Sequence, residues 1–193
     1  MATVLFQPPE ASAIDRGIGS GNDRGATAND VWLGYAGTNP GTHRAVFKWD
    51  VSTLPSSAII TGATMSLKWK FDNYGGGLTE TIRAYRITNQ SMDESVTWTT
   101  YDGSNTWTTP GSDYTTTGGA SFAWSKGADV TFTGENFVAL VQDAITNRGG
   151  FLTLVCATDT DLNASFSGVR FIKLHSSNAS LSANYPSLSV TYT

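Results

Sequence analysis

HRAVFKWDVSTLPSSAIITGATMSLKWK, residues 43–70, is the stretch that decides the fold of this chain. Within it, apolar side chains occupy every second position over residues 44–50 and again over residues 63–71, as in strands with one buried face. The first run turns one set of side chains to a common face and the second run turns another: Ala45, Phe47 and Trp49, then Ala63, Met65, Leu67 and Trp69. Between the runs, Pro55 fixes its own φ and lacks an amide N–H, so the chain must turn there. The stretch predicts a strand, a loop and a second strand.

The composition favours one all-β domain. Charged residues make up only 15% of the 193 residues, and glycine is frequent, which favours turns and strands over long charged helices. The length suits one core, and no linker composition or internal repeat divides the chain. We therefore expect a single domain over residues 1–193, with an N-terminal strand and long loop in residues 1–29 and the core in residues 30–193.

The remaining periodicity predicts further short strands and one helix. The strands are expected at residues 3–6, 31–35, 80–88, 121–124, 128–132, 151–157, 169–174 and 187–192. Residues 11–29 and 99–119, rich in Gly, Ser and Thr, are expected to be long loops. Apolar residues at helical spacing predict a helix over residues 135–147, with Thr133 as its cap and Gly149 as its stop. These elements indicate a jelly-roll-like antiparallel β-sandwich with one short helix.

Three separated patterns carry a family resemblance. The first is the Arg-led strand of residues 44–50 followed by Val-Ser-x-Leu-Pro and Thr-x-Ala-x-Met-x-Leu. The second runs from Glu94 through Val-Thr-Trp at residues 96–98 to Trp107 and Pro-Gly at residues 110–111, and the third is Pro-x-Leu-x-Val-Thr-Tyr at residues 186–192. Together they resemble DNRLRE-type domains, which overlap with family 96 of the carbohydrate-binding modules. The resemblance covers about residues 30–193 and implies a β-sandwich and a polysaccharide ligand. Met92 stands where the family has a tryptophan, a volume that methionine can fill in a core.

Charge and cysteine content exclude several classes of function. The formal net charge of −4 argues against a nucleic-acid partner, because phosphate binding requires clustered excess Lys and Arg. No segment approaches the roughly 20 apolar residues that cross a membrane, and MATVLFQPPEAS at the N-terminus lacks the pattern of a signal peptide. The single cysteine, Cys156, lies in an apolar run, so we expect a buried thiol and no disulfide or zinc site.

No pattern of catalytic residues is visible. His43 and His175 lie far apart, and neither has further ligands at metal-site spacing. Asp93 and Glu94 are adjacent, so in a strand they would point to opposite faces and would not form an acid–base pair. Nucleophile-elbow, zinc-protease and phosphate-loop motifs are missing from the sequence. We therefore expect no enzymatic activity.

One short segment is compatible with a metal ion. Asp159, Asp161 and Asn163 place oxygen ligands at every second position, as the first part of a calcium loop does. The glycine and the distal glutamate of such a loop are missing, and an ordinary Asp/Asn-rich turn explains the same residues. Calcium therefore stays one of two interpretations, and no other cofactor is expected.

Two sets of residues are candidates for glycan binding. Arg44 and Lys48 on the first central strand and Lys68 and Lys70 on the second fall on the polar side of the alternation. If those strands pair, the four cations form a basic stripe suited to an acidic polysaccharide; the alternative is a solvated face that discourages edge pairing. The tryptophans on strand patterns, Trp32, Trp49, Trp69 and Trp98, are expected in the core. The loop aromatics are candidates for stacking on a sugar or a partner: Tyr74, Tyr101, Trp107 and Tyr114.

These observations favour a structural or adhesive role. We expect a non-enzymatic decoration or fibre-type protein on a phage virion surface, made in the host cytoplasm, with glycan adhesion as a second role. Its expected partners are other virion proteins of the capsid or tail, a surface polysaccharide and further copies of the chain, and the strand at residues 3–6 is expected to contact a neighbour. The alternative is a carbohydrate-binding module of an extracellular protein, specific for an acidic polysaccharide.

Overall fold

The computed structural model describes residues 1–8, 14–19, 29–35, 41–74, 79–89, 91–162 and 169–193. Its strands are β1 (Ala2–Phe6), β2 (Ile14–Gly19), β3 (Asp30–Tyr35), β4 (Thr42–Asp50), β5 (Ile60–Leu67), β6 (Trp69–Asp72), β7 (Thr79–Ile87), β8 (Tyr114–Ser125), β9 (Val130–Phe132), β10 (Phe151–Thr158), β11 (Arg170–His175) and β12 (Ser187–Tyr192). The helices are α1 (Glu135–Asn147) and the single turn α2 (Asp159–Leu162), with a 3₁₀ turn at Ser182–Asn184.

The strands form two antiparallel sheets. The small sheet has the order β1-β12-β5-β9. The large sheet has the order β6-β11-β3-β4-β10-β7-β8, and β2 pairs with β4 beside this path. Side chains from both sheets meet in one buried cluster, with Met65 and Val190 from the small sheet against Phe47 and Leu154 from the large one. The expected all-β sandwich is therefore confirmed.

The central unit links the two sheets. β4 lies in the middle of the large sheet and pairs with β10, whereas β5 lies in the small sheet between β12 and β9. The turn at residues 51–58 closes on itself, because the amide of Leu54 donates to the carbonyl of Val51 and that of Ala58 to the carbonyl of Pro55. Both predicted apolar faces then point into the same core, and Trp49 is fully buried while Trp69 packs against the edge of the cluster. The strand–loop–strand prediction is confirmed.

Helix α1 closes one side of this core. Its bounds agree with the prediction, and it buries Phe137, Leu140, Val141, Ala144 and Ile145. The residue that caps its N-terminus is Gly134 rather than Thr133. Gly149 ends the helix with a φ of 62°, a left-handed conformation that glycine adopts without a steric penalty.

Two predicted loops contain strands. Residues 14–19, expected to be irregular, form β2, and Ile18 is fully buried although its neighbours are mostly glycine, Asp and Arg. Residues 114–119, expected to belong to a loop, form the first half of β8 opposite β7. In both cases pairing to a neighbouring strand overrides weak local propensity, as is common for strands.

A second buried cluster lies on the other face of the large sheet. The described residues of the segment 88–113, which are 88–89 and 91–113, fold over the outer sides of β4, β10 and β7 without forming a strand of their own. The cluster consists of Ile18, Val46, Tyr85, Ile87, Met92, Val96, Trp107 and Val155. Met92 is fully buried in it, as expected for a methionine that fills a core volume. Part of the outer face of the large sheet is therefore covered by the chain itself.

Candidate functional site

The outer face of the large sheet has two halves. The covered half consists of β4, β10 and β7 under residues 88–113, and it holds the second buried cluster. The open half consists of β3, β11 and β6. Every residue proposed for glycan binding from the sequence can be placed relative to these two halves.

Arg44 and Lys48 lie in the covered half. The guanidinium of Arg44 donates to Asp161 at 2.8 Å and to the carbonyl of Gly111 at 2.9 Å, and it packs against the ring of Trp98. The ammonium of Lys48 donates to the carbonyl of Met92 at 2.8 Å. Burial lowers the pKa of Lys48, although nearby carboxylates oppose this shift. Both cations hold the covering segment in place.

The pair between Arg44 and Asp161 is almost fully enclosed. The Asp161 side chain has no exposed surface, and its Oδ1 has no hydrogen-bond partner among the described residues. Burial raises the pKa of Asp161, while the charge and hydrogen bond of Arg44 oppose that rise. Such a pair fixes the position of two segments, here β4 and α2, more than it offers a surface to a ligand.

Lys68 and Lys70 lie elsewhere, so the predicted stripe does not form. β4 and β5 belong to different sheets, and β11 and β3 separate β6 from β4. The ammonium of Lys68 donates to Asp129 at 2.7 Å, and that of Lys70 donates to Asp30 at 3.0 Å beside the open half. The basic stripe was predicted on the condition that the two central strands pair with each other, and that condition was wrong. The four cations therefore lie in separate places, two of them in the covered half and two outside it.

Two of the four aromatic candidates are buried. Tyr74 is 2% exposed and donates its hydroxyl to Glu80 at 3.0 Å, and burial, followed by the charge of Glu80, raises its pKa. Trp107 is 4% exposed in the second cluster and donates its indole N–H to the carbonyl of Thr97. A buried ring cannot stack on a sugar, so the expectation of exposed rings was wrong for both residues.

Tyr101 and Tyr114 remain partly exposed. The ring of Tyr101 packs against Trp107 at 5.5 Å between centroids, and that of Tyr114 stacks on Tyr85 at 5.4 Å. Tyr114 also borders a surface depression of about 500 Å³, whose lining is mostly hydroxyl side chains: Thr88, Thr108, Thr109, Ser112 and Thr116, with Asp113. Both carboxylate oxygens of Asp113 already accept backbone amides from residues 108 and 109. Hydroxyl groups line most of this depression. Its one carboxylate already accepts hydrogen bonds within the turn.

The candidate calcium residues are engaged in ion pairs. Asp159 pairs with Arg83, and Asp161 pairs with Arg44. The segment forms the single turn α2, and Asn163 lies outside the described residues. Among the residues that the structure describes, no group of three His, Cys, Asp or Glu side chains is placed to hold a metal ion.

The two histidines lie in different environments. His43 is buried, with its ring 5.2 Å from that of Trp32. His175 lies near Lys70, Asp30 and Asp129 at the end of β11, and desolvation, followed by the charge of Lys70, lowers its pKa. His175 is therefore part of the charged margin of the open half.

The open half carries an aromatic patch, which we define as Trp32, Phe71 and Phe171. The rings of Trp32 and Phe171 stack at 4.8 Å with 11° between their planes, and Phe71 lies 6.1 Å from Phe171. The ammonium of Lys173 lies 4.0 Å from the centroid of Trp32, and 5.4 and 5.6 Å from those of the two phenylalanines. Three rings therefore surround one cation on an outward face, a geometry in which the ring faces attract positive charge.

The alternation of inward and outward side chains along the strands places the aromatic patch outside the core. Val31 and Leu33 of β3 and Ile172 and Leu174 of β11 are buried in the main cluster, so the residues between them face outward. Phe71 is 49% exposed, and Val169, which directly precedes β11, is 43% exposed. Trp32 was expected in the core and is only partly buried.

Sequence reasoning missed this patch although a signal was present. Phe171 and Lys173 are out of phase with the core positions of β11, and Trp32 is out of phase with those of β3. Phe71 is in phase with Trp69, which packs against the core, and the register shift between β6 and β11 places it opposite Lys173 instead. Large apolar residues on the outward phase of a strand indicate a contact surface. Their proximity depends on the pairing of β3 with β11 and of β11 with β6, which bring together residues 100 or more positions apart.

The described residues include no helix long and apolar enough to cross a membrane. Comparison of the sequence with protein-family models gives no match, and comparison with curated proteins gives none either. The resemblance to DNRLRE-type domains therefore stays a prediction, and the aromatic patch is the candidate site that geometry supports.

Proposed function

We propose that this chain is a non-enzymatic glycan-binding protein of a phage virion surface, and that it binds through the open half of the large sheet. The observation that carries the proposal is the aromatic patch with Lys173 at its centre. A sheet face that leaves Phe71 half exposed beside other rings provides flat apolar area for the C–H face of a sugar ring. The surrounding charges supply the polar contacts that such a ligand also requires.

The charges favour an anionic polymer. Lys173 lies over the rings, Lys70 is held by Asp30, and His175 lies close to that pair. The side chain of Asp30 also accepts the indole N–H of Trp32 at 3.0 Å, so the aromatic and charged parts of the site are fixed to each other. Carboxylate groups along a polysaccharide would meet cations already positioned by the sheet.

Each contact of this kind is weak. An exposed ion pair contributes no more than about 1 kcal/mol and is screened by salt, so one domain would bind with low affinity. Several copies on one particle would raise the avidity without any new contact. A virion surface fits this requirement, and the extracellular carbohydrate-binding module remains the alternative setting for the same patch.

Calorimetric titration with an alginate-like polymer and a neutral polymer, each at low and high salt, tests the binding site. We expect binding of the anionic polymer that weakens with salt, and at least about tenfold weaker binding for Phe71→Ala, because a central anchor of a contact surface is worth more than 1 kcal/mol. Ile59→Ala is the matched control, since Ile59 is also an exposed apolar residue, 65% exposed, and directly precedes β5 of the small sheet. Melting curves of both variants verify that the fold is intact.

Unchanged binding by Phe71→Ala, or a lack of any polymer binding, would contradict the proposal that the open half binds a glycan. Mass spectrometry of purified particles tests the setting independently, because it detects the chain in a virion whether or not it binds a glycan. Recovery of the chain only as part of a secreted polysaccharide-binding assembly would favour the extracellular alternative.

A further inference from the structure

Strand β1 leaves one edge of the small sheet open. It is the end strand of that sheet and pairs only with β12 among the described residues. Its sequence, ATVLF, contains no charge and no proline, which are the usual devices that protect an edge. Leu5 is 59% exposed on its outer face. Such an edge is a template for pairing with another strand.

The other three end strands are less suited to pairing. β9 has only three residues, and β6 has four, of which Lys70 and Asp72 are charged. β8 contains adjacent glycines and pairs with β7 through a register shift. Short, charged and irregular strands pair poorly with a partner. β1 is therefore the regular open edge among the four.

The hydrogen bonds at the end of the neighbouring strand β12 show to which side each peptide group of β1 points. Thr193 exchanges both of its backbone hydrogen bonds with Ile59 at 3.1 Å, while the amide of Ile60 turns away to Gln142. Since directions alternate along a strand, the peptide groups of Tyr192, opposite Ile60, face β1. Ala2 is the partner of Tyr192, so Ala2, Val4 and Phe6 bond to β12.

Thr3 and Leu5 therefore direct their N–H and C=O groups to the open edge. The side chains agree with this assignment, because the hydroxyls of Thr3 and Thr191 approach to 3.0 Å, as expected for a pair that does not exchange backbone hydrogen bonds. This arrangement allows β1 to pair with β1 of a second copy of the chain. In an antiparallel pairing with Val4 opposite Val4, Thr3 of each copy faces Leu5 of the other, and both residues direct backbone donors and acceptors to an edge that no described strand occupies.

We propose that two copies of this chain associate through β1 about a twofold axis at Val4, which joins their four-stranded sheets into one continuous sheet. Four backbone hydrogen bonds form, two between Thr3 and Leu5 at each side of the axis. The exposed Leu5 then lies against the methyl group of Thr3 on the partner copy. Inward-facing Val4 and Phe6 keep their places over the core, because the register preserves the faces of the strand.

The surface next to this edge is uncharged. The outward positions of β12 and β5 beside β1 are Ser187, Ser189 and Thr191, then Gly62, Thr64 and Ser66. Two copies, each with a net charge of −4, therefore meet at a region where no like charges are opposed. This contrasts with the open half of the large sheet, and the association does not depend on glycan binding.

Proline scanning of β1 tests the inference by sedimentation. Thr3→Pro and Leu5→Pro each remove N–H groups that face the open edge, so they should weaken dimerisation by at least about tenfold and leave the melting temperature of the monomer unchanged. Val4→Pro removes an N–H group directed at β12 and should lower the melting temperature. Leu5→Ala keeps the N–H group and is the matched control for the loss of the side chain.

Residue-level amide exchange by NMR gives a second measurement. The amides of Thr3 and Leu5 should become protected as the protein concentration rises, whereas that of Val4 should be protected at every concentration. A wild-type chain that stays monomeric at its highest soluble concentration would overturn the inference. Dimers that persist in Thr3→Pro and Leu5→Pro would place the interface elsewhere and would overturn it too.

Discussion

The two halves of the outer face of the large sheet share a sequence pattern but have different roles. In both, outward positions of the strands carry large or cationic side chains, such as Arg44 and Lys48 in the covered half and Trp32 and Lys173 in the open half. In the covered half, residues 88–113 enclose these positions and form a second core. In the open half the rings of the aromatic patch stay partly exposed.

This difference shows that an outward cation is not a ligand site by default. The side chains of Arg44 and Lys48 donate to acceptors within the protein, the carboxylate of Asp161 and the carbonyl of Met92. Lys173 lies over the three rings of the aromatic patch and is partly exposed. Substitutions in the covered half should therefore affect stability, and those in the open half should affect binding.

Trp107→Ala should have the largest effect. The ring of Trp107 is buried against the second cluster, so its removal leaves a cavity and should lower the free energy of unfolding by about 3–5 kcal/mol. Urea denaturation measures this change. Phe71→Ala in the open half is the control and should change stability by less than about 1 kcal/mol, because Phe71 is half exposed. Equal losses in the two variants would contradict the division of the face.

Arg44→Met should have the next largest effect. It leaves the buried carboxylate of Asp161 without its cation, which should cost about 3 kcal/mol at neutral pH. Lys68→Met is the control: Lys68 and Asp129 are both 43% exposed, and the loss of that pair should cost less than about 1 kcal/mol.

The loss in Arg44→Met should depend on pH. Burial raises the pKa of Asp161 above its unfolded value, and without Arg44 nothing in the pair opposes that rise. Between the unfolded and folded pKa values the folded state binds more protons than the unfolded state, so stability increases as pH falls through this window. Urea midpoints measured from neutral to acidic pH should converge on the wild-type curve. A deficit that stays constant over this range would show that Asp161 is not the cause.

Lys173→Gln should have the smallest effect on the fold. The side chain is on the open face, so the free energy of unfolding should change by less than about 0.5 kcal/mol. Affinity for an anionic polymer should fall by about threefold to fivefold, with a weaker dependence on salt, since one exposed charge is removed. Titration at two salt concentrations measures both quantities. Loss of stability without loss of affinity would assign Lys173 to packing of the rings.

Much of the fold was predictable because it depends on local patterns. The alternation in residues 43–70 predicted β4 and β5, and the helical spacing of Phe137, Leu140 and Val141 predicted α1 with its observed bounds. The strand β2 was missed because Asp, Arg and Gly interrupt its two isoleucines and leave no clear alternation, and the pairing with β4 orders the segment. Local propensity contains no information on such a partner.

The candidate site was less predictable, for a physical reason. The sequence by itself determined which residues of β4 and β5 face the core, that the chain forms an all-β sandwich, and that Cys156 is buried, because these properties follow from side-chain periodicity and hydrophobicity. Only the tertiary structure decided that β4 and β5 lie in different sheets, that the segment 88–113 covers Arg44 and Lys48 and buries its own Trp107, and that Trp32, Phe71 and Phe171 meet. These outcomes depend on which strands pair and which segment covers a face, and contacts between distant residues leave no mark in local periodicity.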